Sequence, residues 1–120
     1  MENSGWIKLH RRILDDPIIT DDGLFRLFIY CLLNANFKEK SFIHGDEPVK
    51  VLRGQFITGR KVLAEKLNIN DTTVYHRLKR LQKLKYISIK PNNRYSLITI
   101  INYNTYVEEN SDEISDTELT

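Results

Sequence analysis

The stretch GRKVLAEKLNINDTTVYHRLKRLQKL, residues 59–84, restricts the fold more than any other part of the chain. Val62, Leu63 and Leu67 fall at helical spacing, so an amphipathic helix of about two turns runs from Gly59 or Arg60 to Leu67. Asn68 stands where the chain must leave that helix, and Asn is the usual second choice after Gly for the left-handed residue needed there. Asn70 or Asp71 can cap a second helix, although no Glu or Gln stands three residues on to complete a capping box. In that helix Val74, Leu78 and Leu81 recur at i, i+4 and i+7, with Leu84 three further on, and all four are expected to face inward. The outward surface then carries Thr72, Thr73, Tyr75, His76, Arg77, Lys79, Arg80 and Lys83.

The residues beyond Leu84 narrow the choice. In YISIKPNNRYSLITIINY, residues 86–103, Ile87 and Ile89 alternate, Pro91-Asn92-Asn93 interrupts, and the alternation resumes through Tyr95, Leu97, Thr99 and Ile101. This is a β-hairpin whose polar tip holds Lys90, Asn92, Asn93 and Arg94. Helix, turn, helix and hairpin is the order of a winged helix–turn–helix. The expected class is therefore α+β, with the hairpin as wing and an extra N-terminal helical or β portion.

Charge points the same way. Between Thr58 and Arg94 ten Lys or Arg stand against Glu65 and Asp71, a net of +8, although the whole chain carries only +2. The balance is restored by EENSDEISDTELT at 108–120, with six acids and no base. A basic segment of this kind suits a polyanion, and the alternative is a solvated helix face. On the second helix, Thr72 and Thr73 can meet base edges or thymine methyls, Arg can bond guanine, and Lys can neutralise phosphates. Tyr75 and His76 can touch bases or the backbone.

Upstream, WIKLHRRIL (6–14) suits a short strand or turn leading into a helical turn, which Pro17 ends. Asp15-Asp16 and Asp21-Asp22 flank expected helix ends, so capping explains them better than acid–base catalysis. LFRLFIYCLLNA (24–35) is apolar nearly all round, hence either central to the domain or shared with a partner subunit, and a homodimer is expected from it. SFIHGDEPVKVLRGQFITG (41–59) alternates β-rich runs with turns and suits a small hairpin or irregular β excursion.

At 120 residues one domain is expected over 1–107, with 108–120 an acidic flexible tail or the start of a linker. No apolar run is long enough to span a bilayer. The N-terminus lacks a signal-peptide pattern and Cys31 is alone, so the cytoplasm is the expected location. No enzyme, metal or cofactor is expected. GQFITGRK (54–61) approaches a P-loop, but Arg60 holds the lysine position and Val62 replaces the magnesium-binding hydroxyl. His10, His44 and His76 are scattered, and Cys31 reads as inert core.

As a set, GWIKLHR (5–11), GQFITGRKVLAEKL (54–67) and ITIINYNTY (98–106) resemble the N-terminal winged-helix domain of DnaD-like replication proteins. Within that group it resembles more closely the replisome organisers of phages and prophages of low-GC Gram-positive bacteria, over roughly residues 5–107. The resemblance implies duplex origin binding and recruitment of the replicative helicase or its loader through a region not present here. By position it places Thr58, Gly59, Arg60 and Lys61 at the start of the first motif helix. Thr72, Thr73, Tyr75, His76 and Lys79 then fall on the recognition helix, and Asn92, Asn93 and Arg94 at the wing tip. Two departures stand out: bases common in the family at positions 75 and 76 are replaced by Tyr and His, and the family's second, helical domain has no counterpart. Replication initiation is thus the expected role, with a transcriptional regulator or a protein-docking winged helix as alternatives.

Overall fold

Acidic side chains start the fold as helix caps. The computed structural model, which describes residues 5–108, has two 3₁₀ turns near the N-terminus, Arg11–Asp15 and Pro17–Thr20. Asp16 Oδ1 accepts from the Ile18 N–H at 3.0 Å, and Pro17 takes the first position of its turn, where a missing N–H is harmless. Asp21 Oδ1 accepts from the Leu24 N–H at 2.9 Å and opens helix α1, Asp22–Asn34. Leu24, Leu27, Phe28, Cys31 and Leu32 bury one broad stripe of α1, which makes it the central helix, with Leu33 left 60% exposed.

Strands β1 (Lys40–His44) and β2 (Glu47–Val51) form a hairpin closed by Gly45-Asp46. Strand β3 (Gln55–Thr58) leads into α2 (Arg60–Leu67) and α3 (Asp71–Lys83). Strands β4 (Ile87–Pro91) and β5 (Ser96–Ile100) come next, then a four-residue helix α4, Tyr103–Tyr106. The whole is α+β: four α-helices with two small antiparallel sheets, one β1-β2 and the other β3-β5-β4. Strand β5 is central because Thr58 pairs with Ser96 on one side and Pro91 with Ser96 on the other. Among the described residues no helix is long and apolar enough to cross a membrane, and the acidic stretch from 109 onward lies outside them.

The break between α2 and α3 obeys its local chemistry. Asn68 is left-handed at φ 57° and ψ 50°, and its N–H closes onto the Ala64 and Glu65 carbonyls. Asn70 Oδ1 accepts from the Thr72 N–H at 2.7 Å and caps α3. One apolar position of α2 stays outside the core, and one inward assignment on α3 fails. Val62 is 50% exposed, because it sits about 100° around the helix from the Leu63–Leu67 line that reaches the core. Leu84 is 52% exposed: it ends α3, and Lys85 at φ 70° turns the chain toward β4 before another helical turn can form.

The ends of the described chain are tied together. Leu9 bridges to Val107, and the His10 N–H donates to the Tyr106 carbonyl at 2.7 Å. The strand pattern gave no sign of α4, which begins after Asn102 turns left-handed at φ 59°. Arg53 holds α4 down: its guanidinium lies 4.4 Å from the Phe37 ring centre and 4.8 Å from that of Tyr103, and donates to Asn104 Oδ1. Gly54, at φ +84°, lets the backbone pass so close to Tyr103 that a Cβ there would lie 3.0 Å from its side chain.

Tyr86 and Tyr106 both donate their hydroxyls to the Asp16 carboxylate, joining the first turns to the base of β4 and to α4. Burial, then the Asp16 charge, pushes Tyr106 up to about 12, and the same causes raise Tyr86. Burial alone pushes the Cys31 thiol from 9.0 to about 12. Folded values above unfolded ones mean that these groups favour the fold in their protonated forms. Their contribution is complete below pH about 9 and is lost as pH rises from there through about 12. Urea midpoints are expected to hold level from neutrality to pH about 9 and to fall steadily by pH about 11. A midpoint level to pH about 12 would contradict this clasp.

Candidate nucleic-acid interface

Helix α3 is polar on every side that does not touch the core, and its neighbours divide that surface into three stripes. Thr72, His76, Lys79 and Lys83 recur at i, i+4, i+7 and i+11, opposite the buried Val74, Leu78 and Leu81. All four are exposed or half-exposed on that side, and the stripe contains no acid. This is the outward face proper.

Thr73, Arg77 and Arg80 form a second stripe turned toward the start of α1. Arg80 Nη1 lies 3.2 Å from Asp21 Oδ2. The Leu24 N–H, together with the Arg80 and Arg77 guanidiniums, holds the Asp21 carboxyl below its ordinary value. Arg77 covers Gly23 so closely that a Cβ there would lie 2.6 Å from Arg77 Cζ. The sequence grouped Arg77 and Arg80 with the outward bases; packing against α1 sets them on its flank.

The third side, Tyr75 with Lys79, looks toward β4 and β5. Tyr75 is 41% exposed, with Arg60 Cζ 5.4 Å and Lys79 Nζ 5.6 Å from its ring centre. Its ring also meets that of His76 edge-on at 5.5 Å. Positive charge thus reaches position 75 from Arg60 and Lys79, although the residue itself carries none. Between Tyr75 and the hairpin lies a cleft of about 340 Å³, with Leu78, Ile89, Pro91 and Ile98 among its walls and Thr58 and Ser96 at one side. Strand alternation alone could not find Ser96 or Ile89 as neighbours of Tyr75. It needed the pairing of β5 with β3 on one side and β4 on the other.

Arg60 and Lys61 are exposed in the first turn of α2. That turn contains no acid, and its cap, Gly59, offers no side-chain oxygen, so its first N–H groups keep no side-chain acceptor. At the hairpin tip, Asn92 Oδ1 accepts from the Arg94 and Tyr95 N–H groups, both at 2.8 Å. The side-chain oxygen of Asn92 therefore closes the turn, while Asn93 is exposed beside it. Arg94 is backed by the turn of the β1–β2 hairpin at Gly45, and the His44 and Tyr95 rings meet edge-on at 4.9 Å. Lys90 pairs with Leu97, on the opposite face of the sheet from Ile89 and Ile98, and lines a groove with Pro48 and Lys50 of β2. Strand alternation turns it away from α3.

The structure thus brings Thr58, Arg60, Tyr75 and Lys79 around one cleft, beside the outward stripe of Thr72, His76, Lys79 and Lys83, while Lys61 stands exposed on α2. Thr73, Arg77 and Arg80 are set on the flank, and Lys90 behind the sheet. Among the described residues no three His, Cys, Asp or Glu converge, and Cys31 is fully buried. Comparisons with family profiles, curated proteins and solved structures found no match to this chain.

Proposed function

We propose that this chain is a winged helix–turn–helix protein that binds duplex DNA in replication initiation, like the DnaD-like phage replisome organisers its sequence resembles. The observation that carries the reading is the acid-free stripe Thr72–His76–Lys79–Lys83 along α3, joined at Lys79 by Arg60, which approaches the same Tyr75 ring. In this reading α3 enters the major groove, about 12 Å wide, with Thr72 and His76 nearest the base edges. Lys79, Lys83, Arg60 and Lys61 neutralise phosphates on either side, and Asn93 with Arg94 meets the backbone from the tip of β4–β5. Recruitment of a helicase or its loader belongs to the same proposal. The order α2, α3, β4, β5 supports the wing, as does the packing of Ile89 and Ile98 toward α3.

The test is fluorescence anisotropy against an origin-derived duplex and a scrambled one, from about 50 to 200 mM salt. The expected result is a preference for the origin that persists across the range, over a non-specific component that falls by orders of magnitude. Equal binding to both, erased by salt, would reduce the surface to a basic patch and overturn origin recognition. Preference for a promoter operator over the origin would assign the same surface to transcription.

A further inference from the structure

The cleft between α3 and the β4–β5 hairpin is poorly suited to a phosphate backbone alone. Leu78, Ile89, Pro91 and Ile98 form apolar walls, and seating a charged phosphate against them would strip its water without replacement. A flat heterocycle suits them. The aromatic face needed to stack it is Tyr75, which stands exposed at the mouth. The charge needed for the attached phosphate is supplied by Arg60 and Lys79, and no acid lines the cleft. Both cations sit in the outer part of the roughly 6 Å range for a ring contact, and both are exposed, so either can swing to a phosphate while a base takes the ring face. Thr58 and Ser96, paired across β3 and β5, bring hydroxyls that can meet the base edge. At about 340 Å³ the cleft lies at the low end of the roughly 300–1,000 Å³ range of small-ligand sites.

We infer that this cleft holds one unpaired nucleotide of a DNA strand, its base on Tyr75 and its phosphate between Arg60 and Lys79, so that the domain favours locally opened duplex. The inference rests on the DNA-binding reading and adds a second class of site to it: α3 takes the paired groove, the cleft takes a base that has left the stack. A base in an intact duplex must first be unstacked and unpaired, whereas one in an opened segment is already available.

The experiment compares an intact duplex with the same duplex carrying a two-nucleotide mismatched bubble, equal in length and phosphate count, by competition anisotropy at fixed salt. Wild type, Tyr75→Ala and Ser96→Phe are measured; the last fills the cleft from β5 and leaves the outward stripe of α3 intact. Wild type is expected to bind the bubble about tenfold more tightly, and both variants are expected to lose that preference. Equal affinity of wild type for the two duplexes would overturn the inference and leave duplex binding standing. A bubble preference that survives both variants would overturn it too, because the gain would then come from a more deformable duplex. No salt-sensitive affinity for either would overturn the DNA-binding reading itself.

Discussion

Replacing Lys61, Lys79 and Lys83 together by Ala is expected to lower affinity for any duplex by about 2.7 decades, roughly 500-fold, near 0.1 M salt. Each phosphate neutralised adds about 0.9 to the magnitude of the slope of log affinity against log salt, so three lost contacts reduce that magnitude by about 2.7. The three lysines are exposed on α2 and α3, away from the core, so the fold should survive. The matched variant is Arg77→Ala with Arg80→Ala. Arg80 already faces Asp21 at 3.2 Å and Arg77 covers Gly23, so this pair is expected to weaken binding far less. Salt-dependent anisotropy reads both. If the arginine pair costs more affinity than the lysine triple, α3 lies in the groove on its other side and the proposed orientation is wrong.

The largest expected effect on stability is that of Phe28→Ala, about 4 kcal/mol, within the usual range for truncating a buried phenylalanine. Phe28 is fully buried in the middle of α1. Its ring meets Tyr86 at 5.2 Å and Tyr106 at 5.1 Å, both edge-on. Tyr86 stands at the base of β4 and Tyr106 in α4, so one ring braces the central helix against the hairpin and the closing helix. Since a domain of this size is stable by only about 5–15 kcal/mol, the variant should unfold at much lower urea. Leu84→Ala, at a half-exposed position, should move the midpoint little. A Phe28→Ala midpoint close to wild type would mean that α1 is not the centre of the fold.

Both predictions depend on knowing which side of a helix meets what, and here the sequence and the structure contribute different things. Asn68 as the left-handed exit of α2, a cap for α3 at Asn70 or Asp71 and the hairpin around Pro91–Arg94 were legible because each rests on a few neighbouring residues; the structure chose Asn70. A cap needs a side-chain acceptor two or three residues before a free N–H, and a left-handed exit needs a residue that tolerates positive φ. The burial of Val74, Leu78 and Leu81 was legible for the same reason: their spacing is a property of one helix. The concentration of positive charge between Thr58 and Arg94 also needs no structure to be read.

Tertiary structure decided the rest. Arg77 and Arg80 look like Lys79 in a row of bases, but α1 brings Asp21 and Gly23 against one flank of α3 and sets them apart. Lys90 reads as part of a polar tip until the pairing with Leu97 puts it on the far side of the sheet. Ser96 joins Tyr75 only because β5 pairs with β3, whose nearest residue is 38 positions earlier in the chain. Leu84 loses its place in the core because Lys85 turns the chain, and α4 exists because Arg53 and Gly54 receive Tyr103. Elements and caps are set by neighbours along the chain. Faces, flanks and clefts are set by contacts between segments far apart in it, and those exist only once the chain has closed on itself.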